Sequence, residues 1–353
     1  MAAGTAILHH APAAHKMELI TGGTGIVGTH VLLERAVAGA AVKALYRRNS
    51  DRSIVDRVFH HYRPDADALL ERIHWVEGDL HSIDALEEAM TGVQHVYHAA
   101  AMVSFDPRDA REMHRVNVEG TANVVNAALA TGVQRICHVS SIAAIGEGTG
   151  DEERHEGMVR ESDDRISAYA LSKYEAEMEI HRGIAEGVEG VMVNPGLILG
   201  PGRSGRSSMT LIDRLRKGTR YHPPGANAFV DVRDVAELMV QVMHKAPSGG
   251  RYILVGENMS YARMFAEAAT TFRNASPSHR LAPWMLELAW RLEKARTWIT
   301  RTKPFVTRDT VQSALAERRY SNAASITLTG HAYRTVNEAL TNVAAFLEGR
   351  PVY

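Results

Sequence analysis

The chain of 353 residues has a single cysteine, Cys137, so no internal disulfide can form. Cys137 sits in the apolar run Arg135-Ile-Cys-His-Val139, where a buried thiol is expected rather than a reactive one, as suits a reducing cytoplasm. Long apolar runs are missing as well, and none reaches the roughly 18–20 residues that a membrane span needs. Charge of one sign is also missing. Lys and Arg number 40 against 41 Asp and Glu, a net charge of −1, so no general attraction to nucleic acid or to an anionic surface is expected. The first residues lack the basic start and apolar stretch of a secretory leader. His9, His10 and His15 there have no Cys or acidic neighbours to complete a metal site, so residues 1–16 are read as a flexible tail.

What is present is apolar material for a large core, 45 % of the chain, with 23 % charged residues. Strands are expected at Met17–Thr21, Ala41–Tyr46, Ile73–Glu77, His95–Ala99, Ile136–Ser140 and Val191–Asn194, the last cut by Pro195. Helices are expected at Ile26–Ala38, Asp84–Met90, Arg111–Thr131 and Tyr169–Glu186. Such alternation predicts an α/β fold, a Rossmann-type doubly wound parallel sheet whose carboxyl edge receives the ligand. Gly146–Arg165 reads as a polar loop, Gly200–Gly225 as an irregular crossing, and the chain beyond Gly256 as mostly helical. The expected layout is a dinucleotide-binding domain over 17–200 and 226–256, with a smaller, mostly helical C-terminal substrate lobe from 201–225 and 257–353.

Directly after the first strand stands Thr21-Gly-Gly-Thr-Gly-Ile-Val-Gly28, which opens a helix. Glycines at 22, 25 and 28 permit a tight turn and let backbone N–H groups of residues such as Thr24, Ile26 and Val27 approach a pyrophosphate. The helix start adds a positive dipole end. Where a carboxylate would grip the ribose hydroxyls, the second strand instead ends in Leu45-Tyr46-Arg47-Arg48. Two guanidinium groups suit a 2′-phosphate, so NADP(H) is expected over NAD(H), the alternative being a solvated surface pair.

The most informative stretch is Ser167-Ala-Tyr169-Ala-Leu-Ser-Lys173-Tyr-Glu-Ala-Glu177. Residues four apart share a helix face, so Tyr169 and Lys173 point the same way. A free phenol is a poor acid or base at neutral pH, and a neighbouring ammonium is expected to lower its pKa.

With these pieces in place, the chain resembles the extended short-chain dehydrogenase/reductases of the NAD-dependent epimerase/dehydratase superfamily. Within it the likeness is to dihydroflavonol-reductase-like and 3β-hydroxysteroid-dehydrogenase-like ketoreductases. Further matching pieces are Gly78-Asp79-Leu80, His98-Ala-Ala-Ala101, Asn117-Val-Glu-Gly-Thr121, Ser140-Ser141, Asn194-Pro-Gly196 and Phe229-Val-Asp-Val-Arg-Asp-Val-Ala236. Arg319-Tyr-Ser-Asn-Ala323 matches more loosely.

The resemblance implies roles. Tyr169 is similar to the proton donor, and Lys173 to the residue that lowers its pKa and bonds the nicotinamide ribose. Ser141, or Ser140 in another register, resembles the serine that polarises the substrate oxygen. Asp79 and Leu80 resemble the adenine pocket, although Asp79 also suits a helix cap. His98, Ala99 and Ala100 match the strand end against the cofactor, and Pro195 the turn beside the carboxamide. Asn117 matches a proton-relay asparagine that here can also simply hold its helix.

The implied reaction is NADPH-dependent reduction of a ketone or aldehyde without metal, on a small-molecule carbonyl or alcohol, by a cytoplasmic enzyme. The resemblance also raises a homodimer formed through the Tyr169 helix. Two rivals are kept. A nucleotide-sugar epimerase or dehydratase would carry an acid at the second strand, and a non-catalytic NADP-binding redox sensor would lack the catalytic pair. Met102, Val103, Ser104 and Phe105 are expected to face the substrate. The acidic loop 151–164 reads as solvated surface more than as a lid. Trp284, Met285, Leu288, Trp290, Leu292 and Trp298 form a stripe that reads as packing first and as a substrate pocket second. The charges at Glu287, Arg291, Glu293, Lys294 and Arg296 leave that helix at most lying on a surface, never spanning one.

Overall fold

The structure is a computed structural model that describes residues 16–147, 152–160, 166–304 and 306–353. The expected tail, with its three histidines, and parts of the acidic loop (151 and 161–164) lie outside the described residues. The strands in chain order are β1 Met17–Thr21, β2 Val42–Tyr46, β3 Ile73–Glu77, β4 Val93–His98, β5 Arg135–Val139, β6 Glu189–Pro195, β7 Leu197–Leu199, β8 Tyr221–His222, β9 Ala226–Asp231, β10 Arg251–Leu254, β11 Glu257–Ser260 and β12 His279–Arg280. Seven of them form one parallel sheet in the order β10-β6-β5-β4-β1-β2-β3. The order reverses between β1 and β4, which opens a crevice at their carboxyl ends.

The helices are α1 Ile26–Val37, α2 Ser53–Tyr62, α3 Ala66–Leu70, α4 Ile83–Met90, α5 Ala110–His114, α6 Gly120–Thr131, α7 Ala168–Glu186, α8 Met209–Lys217, α9 Val232–Lys245, α10 Tyr261–Thr271, α11 Pro283–Thr300, α12 Arg308–Leu315, α13 Ala323–Thr329 and α14 Val336–Leu347. Neighbouring strand residues point to opposite faces of the sheet, and the two cores follow from that. Ile20, Tyr97 and Cys137 pack with Val31, Leu32, Phe59 and Met239 on one side. Leu19, Val96 and Ile136 pack with Leu86, Val124 and Ile180 on the other. Cys137 is buried, and burial pushes its thiol up to about 12, as an inert core residue should behave. A third core joins Leu199, Met209, Ile212, Phe229, Met264 and Leu340 from β7, α8, β9, α10 and α14.

Three differences from the sequence reading have physical causes. The stretch Gly200–Gly225 is not wholly irregular, because Met209, Ile212 and Leu215 recur at helical spacing and bury one face of α8. Between β2 and β3 the chain forms α2 and α3, built around buried Val55, Val58, Phe59 and Leu69. The long helix expected at Arg111–Thr131 begins at Ala110 and contains a π turn over Arg115–Glu119, centred on Asn117. Such a turn adds a residue without a normal partner and commonly sits at functional positions. Here the Thr121 hydroxyl takes up the Asn117 carbonyl at 2.6 Å.

Helix α7 starts with the Ser167 hydroxyl accepting the Ala170 N–H at 3.1 Å and ends at Gly187, whose φ of 115° only glycine adopts freely. It is locked to the sheet by Glu177, which is fully buried. The carboxylate accepts hydrogen bonds from the Ser140 hydroxyl, from Asn194 Nδ2 at 2.6 Å and from Arg251 Nη1 at 3.0 Å. The donors come from the ends of β5 and β6 and from β10. Arg251 also donates to the carbonyls of Glu156 at 2.9 Å and Met158 at 3.1 Å.

Removing the guanidinium would leave a buried carboxylate without its counter-charge. Arg251→Met is expected to lower stability by about 3–5 kcal/mol, read from urea unfolding, whereas a loss below ~1 kcal/mol would contradict this account.

Candidate active site

The turn from β1 to α1 is built for close approach. A Cβ at Gly28 would stand 2.2 Å from the Gly22 carbonyl oxygen, and one at Gly22, whose φ is 68°, would stand 2.6 Å from Ala100 N. Gly22 therefore brings the turn against the end of β4, where the Ala99 N–H donates to Thr21 O and the Ala100 N–H to Thr21 Oγ1, both at 3.3 Å. Helix α1 has Gly25 as its N-cap and no side chain capping its first N–H groups. An uncapped helix start behind a glycine turn fits a dinucleotide pyrophosphate. Thr24, Ile26 and Val27 lie on this turn and first helical residues.

Beside it, a cavity of about 440 Å3 is lined by Arg47, Arg48, Asn49, Glu77, Gly78 and Asp79. Arg47 and Arg48 are exposed, and neither guanidinium makes a hydrogen bond or ion pair among the described residues. Asp79 is not a helix cap. It accepts the His81 N–H at 3.0 Å, and Ser82 caps α4 by accepting from Ala85 N at 3.3 Å. Leu80 is buried, with its carbonyl held by Asn123 Nδ2 at 2.9 Å. Arg52, which the sequence reading did not single out, stacks over Tyr46 at 4.7 Å and Trp75 at 5.3 Å.

The end of β5 brings the remaining groups together. Ser141 and Ser140 point differently: Ser140 reaches Glu177, while the Ser141 hydroxyl accepts from Ala143 N at 3.1 Å and stands toward the Tyr169 phenol. Tyr169 is half-buried, and burial pushes its phenol above the ordinary value while the Ser141 hydroxyl pulls the other way. The expectation that Lys173 lowers this phenol is not met, because loss of solvent dominates. Lys173 itself is buried, with Nζ donating to the Val139 carbonyl at 2.8 Å. Burial lowers it to about 8, partly offset by Glu177 one turn along the helix.

Two histidines lie beneath Lys173. The His98 ring is fully buried, with Nδ1 2.7 Å from Thr21 Oγ1 and Nε2 2.9 Å from Thr121 Oγ1. Since the Thr121 proton goes to Asn117 O, Thr121 accepts from Nε2, which therefore carries a proton. Burial lowers His98 to about 3 and His138, its ring centroid 5.1 Å away, well below the ordinary range. Thus the His98 ring acts as an internal brace between Thr21 and Thr121. Pro195 closes β6 as a buried residue paired with Leu254.

Asn117 does not meet Lys173. Its amide donates to Met102 O and Ser172 Oγ, both at 2.9 Å, and its carbonyl accepts from Met102 N at 2.7 Å, so all its groups are engaged. That ties the segment after β4 to α7 and sets Phe105 edge-on to Tyr169, ring centroids 5.8 Å apart. The loop residues 152–160 are not plain solvated surface. Arg154 is buried against Tyr320, and Glu156 Oε1 accepts the Ile253 N–H at 2.8 Å. The α11 stripe does not pack as expected, since Trp284, Leu288, Leu292 and Trp298 are exposed. Glu177 and Arg251 escaped the sequence reading. The available signal was an acid on the face that carries Ala170, Lys173 and Ile180, whose other neighbours are apolar.

The model of the NAD dependent epimerase/dehydratase family matches residues 18–256, which run from β1 to just past β10. A Synechocystis sp. protein named for dihydroflavonol 4-reductase is 31 % identical over 337 residues, covering 93 % of this chain and 94 % of its own length. The crystal structure of gox2253 superposes with a TM-score of 0.79 at 28 % identity, covering 96 % of this chain and all of that one. The fold is also that of the Thermus thermophilus UDP-glucose 4-epimerase solved in complex with NAD, at a TM-score of 0.71 and 19 % identity over 94 % of this chain and 99 % of that one. The glycine turn, the crevice beside it and these likenesses converge: the chain belongs to the NAD-dependent epimerase/dehydratase family and is an NAD(P)-dependent oxidoreductase of the short-chain dehydrogenase/reductase type.

Proposed function

We propose that the chain reduces a ketone or aldehyde with NADPH, with Tyr169 as the general acid. The observation that carries this reading is that Ser141, just past β5, and Tyr169, in the first turn of α7, both stand at the carboxyl end of the parallel sheet that carries the glycine turn. A phenol whose pKa is raised keeps its proton at neutral pH, as a donor in the reducing direction requires. When bound, a reduced nicotinamide supplies the hydride. The Ser141 hydroxyl donates to the substrate oxygen as negative charge grows on it, and Tyr169 delivers its proton to the same atom. Lys173 is assigned to the nicotinamide ribose and Asn117 to positioning Met102 and Ser172 around the substrate.

Arg47 and Arg48, exposed and unpaired beside the cavity, support NADP(H) over NAD(H). Their place at the end of β2 speaks against a sugar epimerase that grips NAD through an acid there. The intact Ser141, Tyr169 and Lys173 speak against a sensor without catalysis. Exposed Val103 and Phe105 suit an apolar or aryl carbonyl.

Three measurements test this site. Tyr169→Phe is expected to cut ketone reduction by about 10²–10⁴-fold with NADPH affinity kept, and full activity in that variant would end the proposal. Replacing Arg47 and Arg48 together by Ala should raise KM for NADPH by about 10–100-fold and leave that for NADH nearly unchanged; a wild-type preference for NADH refutes the cofactor assignment.

The third concerns pH. Lys173 loses its proton near pH 8 when folded but near its ordinary 10.5 when unfolded, so the unfolded chain binds more protons in between. Relative to Lys173→Met, the wild type should gain roughly 3 kcal/mol of stability as pH rises through that window, measured by urea unfolding. A pH-independent difference would show that the ammonium is not buried as described.

A further inference from the structure

Helix α11 is poorly covered by the rest of the protein. Of its eighteen residues only Leu286 and Thr297 are buried. Trp284 is 68 % exposed, Leu288 47 %, Leu292 61 %, Trp298 83 % and Ile299 74 %. At 3.6 residues per turn these five fall within a sector of about 120°, an apolar stripe interrupted by Arg291, which pairs with Glu287 at 3.1 Å. Isolated apolar residues on a surface need no explanation, but a stripe of two tryptophans, two leucines and an isoleucine marks an interaction site.

The charge around the stripe says what covers it. Residues 280–308 hold seven Lys or Arg against two acids, Glu287 and Glu293, in a chain whose net charge is −1. Among the basic residues, Arg280, Lys294 and Arg301 are exposed and make no side-chain ion pair among the described residues. A second copy docked through this helix about a two-fold axis would set cations against cations. An anionic bilayer instead takes the stripe into its interface and meets the flanking cations, whose long stems reach the headgroups. The helix carries too many charges to span.

We propose that α11 docks this protein on an anionic lipid surface, its apolar stripe lying in the interfacial layer. The docked helix is coupled to the crevice. Arg108 Nη2 donates to Thr302 O at 2.7 Å and Lys303 Nζ to Asp109 at 2.8 Å, joining the end of α11 to the segment that holds Phe105 against Tyr169. Docking therefore engages an element bonded directly to the segment beside Tyr169. The surface itself does not depend on the reductase reading, and its test requires no substrate.

The full chain is mixed with vesicles of phosphatidylcholine alone or with about a third phosphatidylglycerol, sedimented and assayed for bound protein. Binding is expected on the anionic vesicles, at least tenfold weaker on phosphatidylcholine and in about 0.5 M salt. Leu288→Asp combined with Leu292→Asp should weaken it at least tenfold without moving the thermal midpoint, because both residues are exposed. Tyr169→Phe should bind as the wild type does. Brominated lipid should quench tryptophan fluorescence in the wild type, and the quenching should fall in Trp284→Phe combined with Trp298→Phe. No sedimentation on either composition, or a dimer in solution that the Leu288 and Leu292 substitutions dissociate, would overturn the proposal.

Discussion

The arrangement of this protein depends on one buried charge. Glu177 lies in the middle of α7 with no exposure to solvent, and its carboxylate is acceptable there only because donors from β5, β6 and β10 converge on it. Hydrogen bonds of that kind are directional, so they fix the roll of the helix as well as its distance from the sheet. Tyr169 and Lys173 lie two turns and one turn earlier on the same helix, and their direction is set by that anchor. Arg251 carries the constraint further, since it also holds the carbonyls of Glu156 and Met158.

Around this anchor the site is dry and largely neutral. His98 and His138 are kept uncharged by burial, Lys173 is pulled down toward neutrality, and the Tyr169 phenol is pushed up. All four shifts have burial as their largest cause, and the Lys173 charge adds to it at both histidines. A phenol that holds its proton beside a serine hydroxyl suits donation to a carbonyl oxygen. The charged groups that suit an anionic cofactor stand outward instead, at the end of β2. The same separation recurs on a larger scale, with the basic, apolar-striped α11 attached to the rim of the crevice and away from its interior.

Much of the parallel sheet was legible from residue order. Strands β1 and β3 lie at the residues expected, α1 and α7 within a residue of them, because each couples a strong apolar period to a glycine or serine boundary. Short helices such as α2 and α3 were not legible, since their apolar residues are few and gain their burial from α1 and the sheet. For the site, the glycine turn and the Tyr169–Lys173 pair were legible as local patterns. The arginine of the Glu177 network, Arg251, was not, because nothing in its neighbourhood along the chain distinguishes it from a surface residue.

The amino-acid sequence by itself determined which backbone turns can approach a phosphate and which side chains share a helix face. Those properties depend on glycine stereochemistry and on a fixed helical repeat, both local. Only the tertiary structure decided that Ser140 turns to Glu177, that the Asn117 side chain bonds Met102 and Ser172, and that the aromatic stripe of α11 faces outward. Each of those outcomes depends on which groups lose water, and burial is set by elements far apart in the chain.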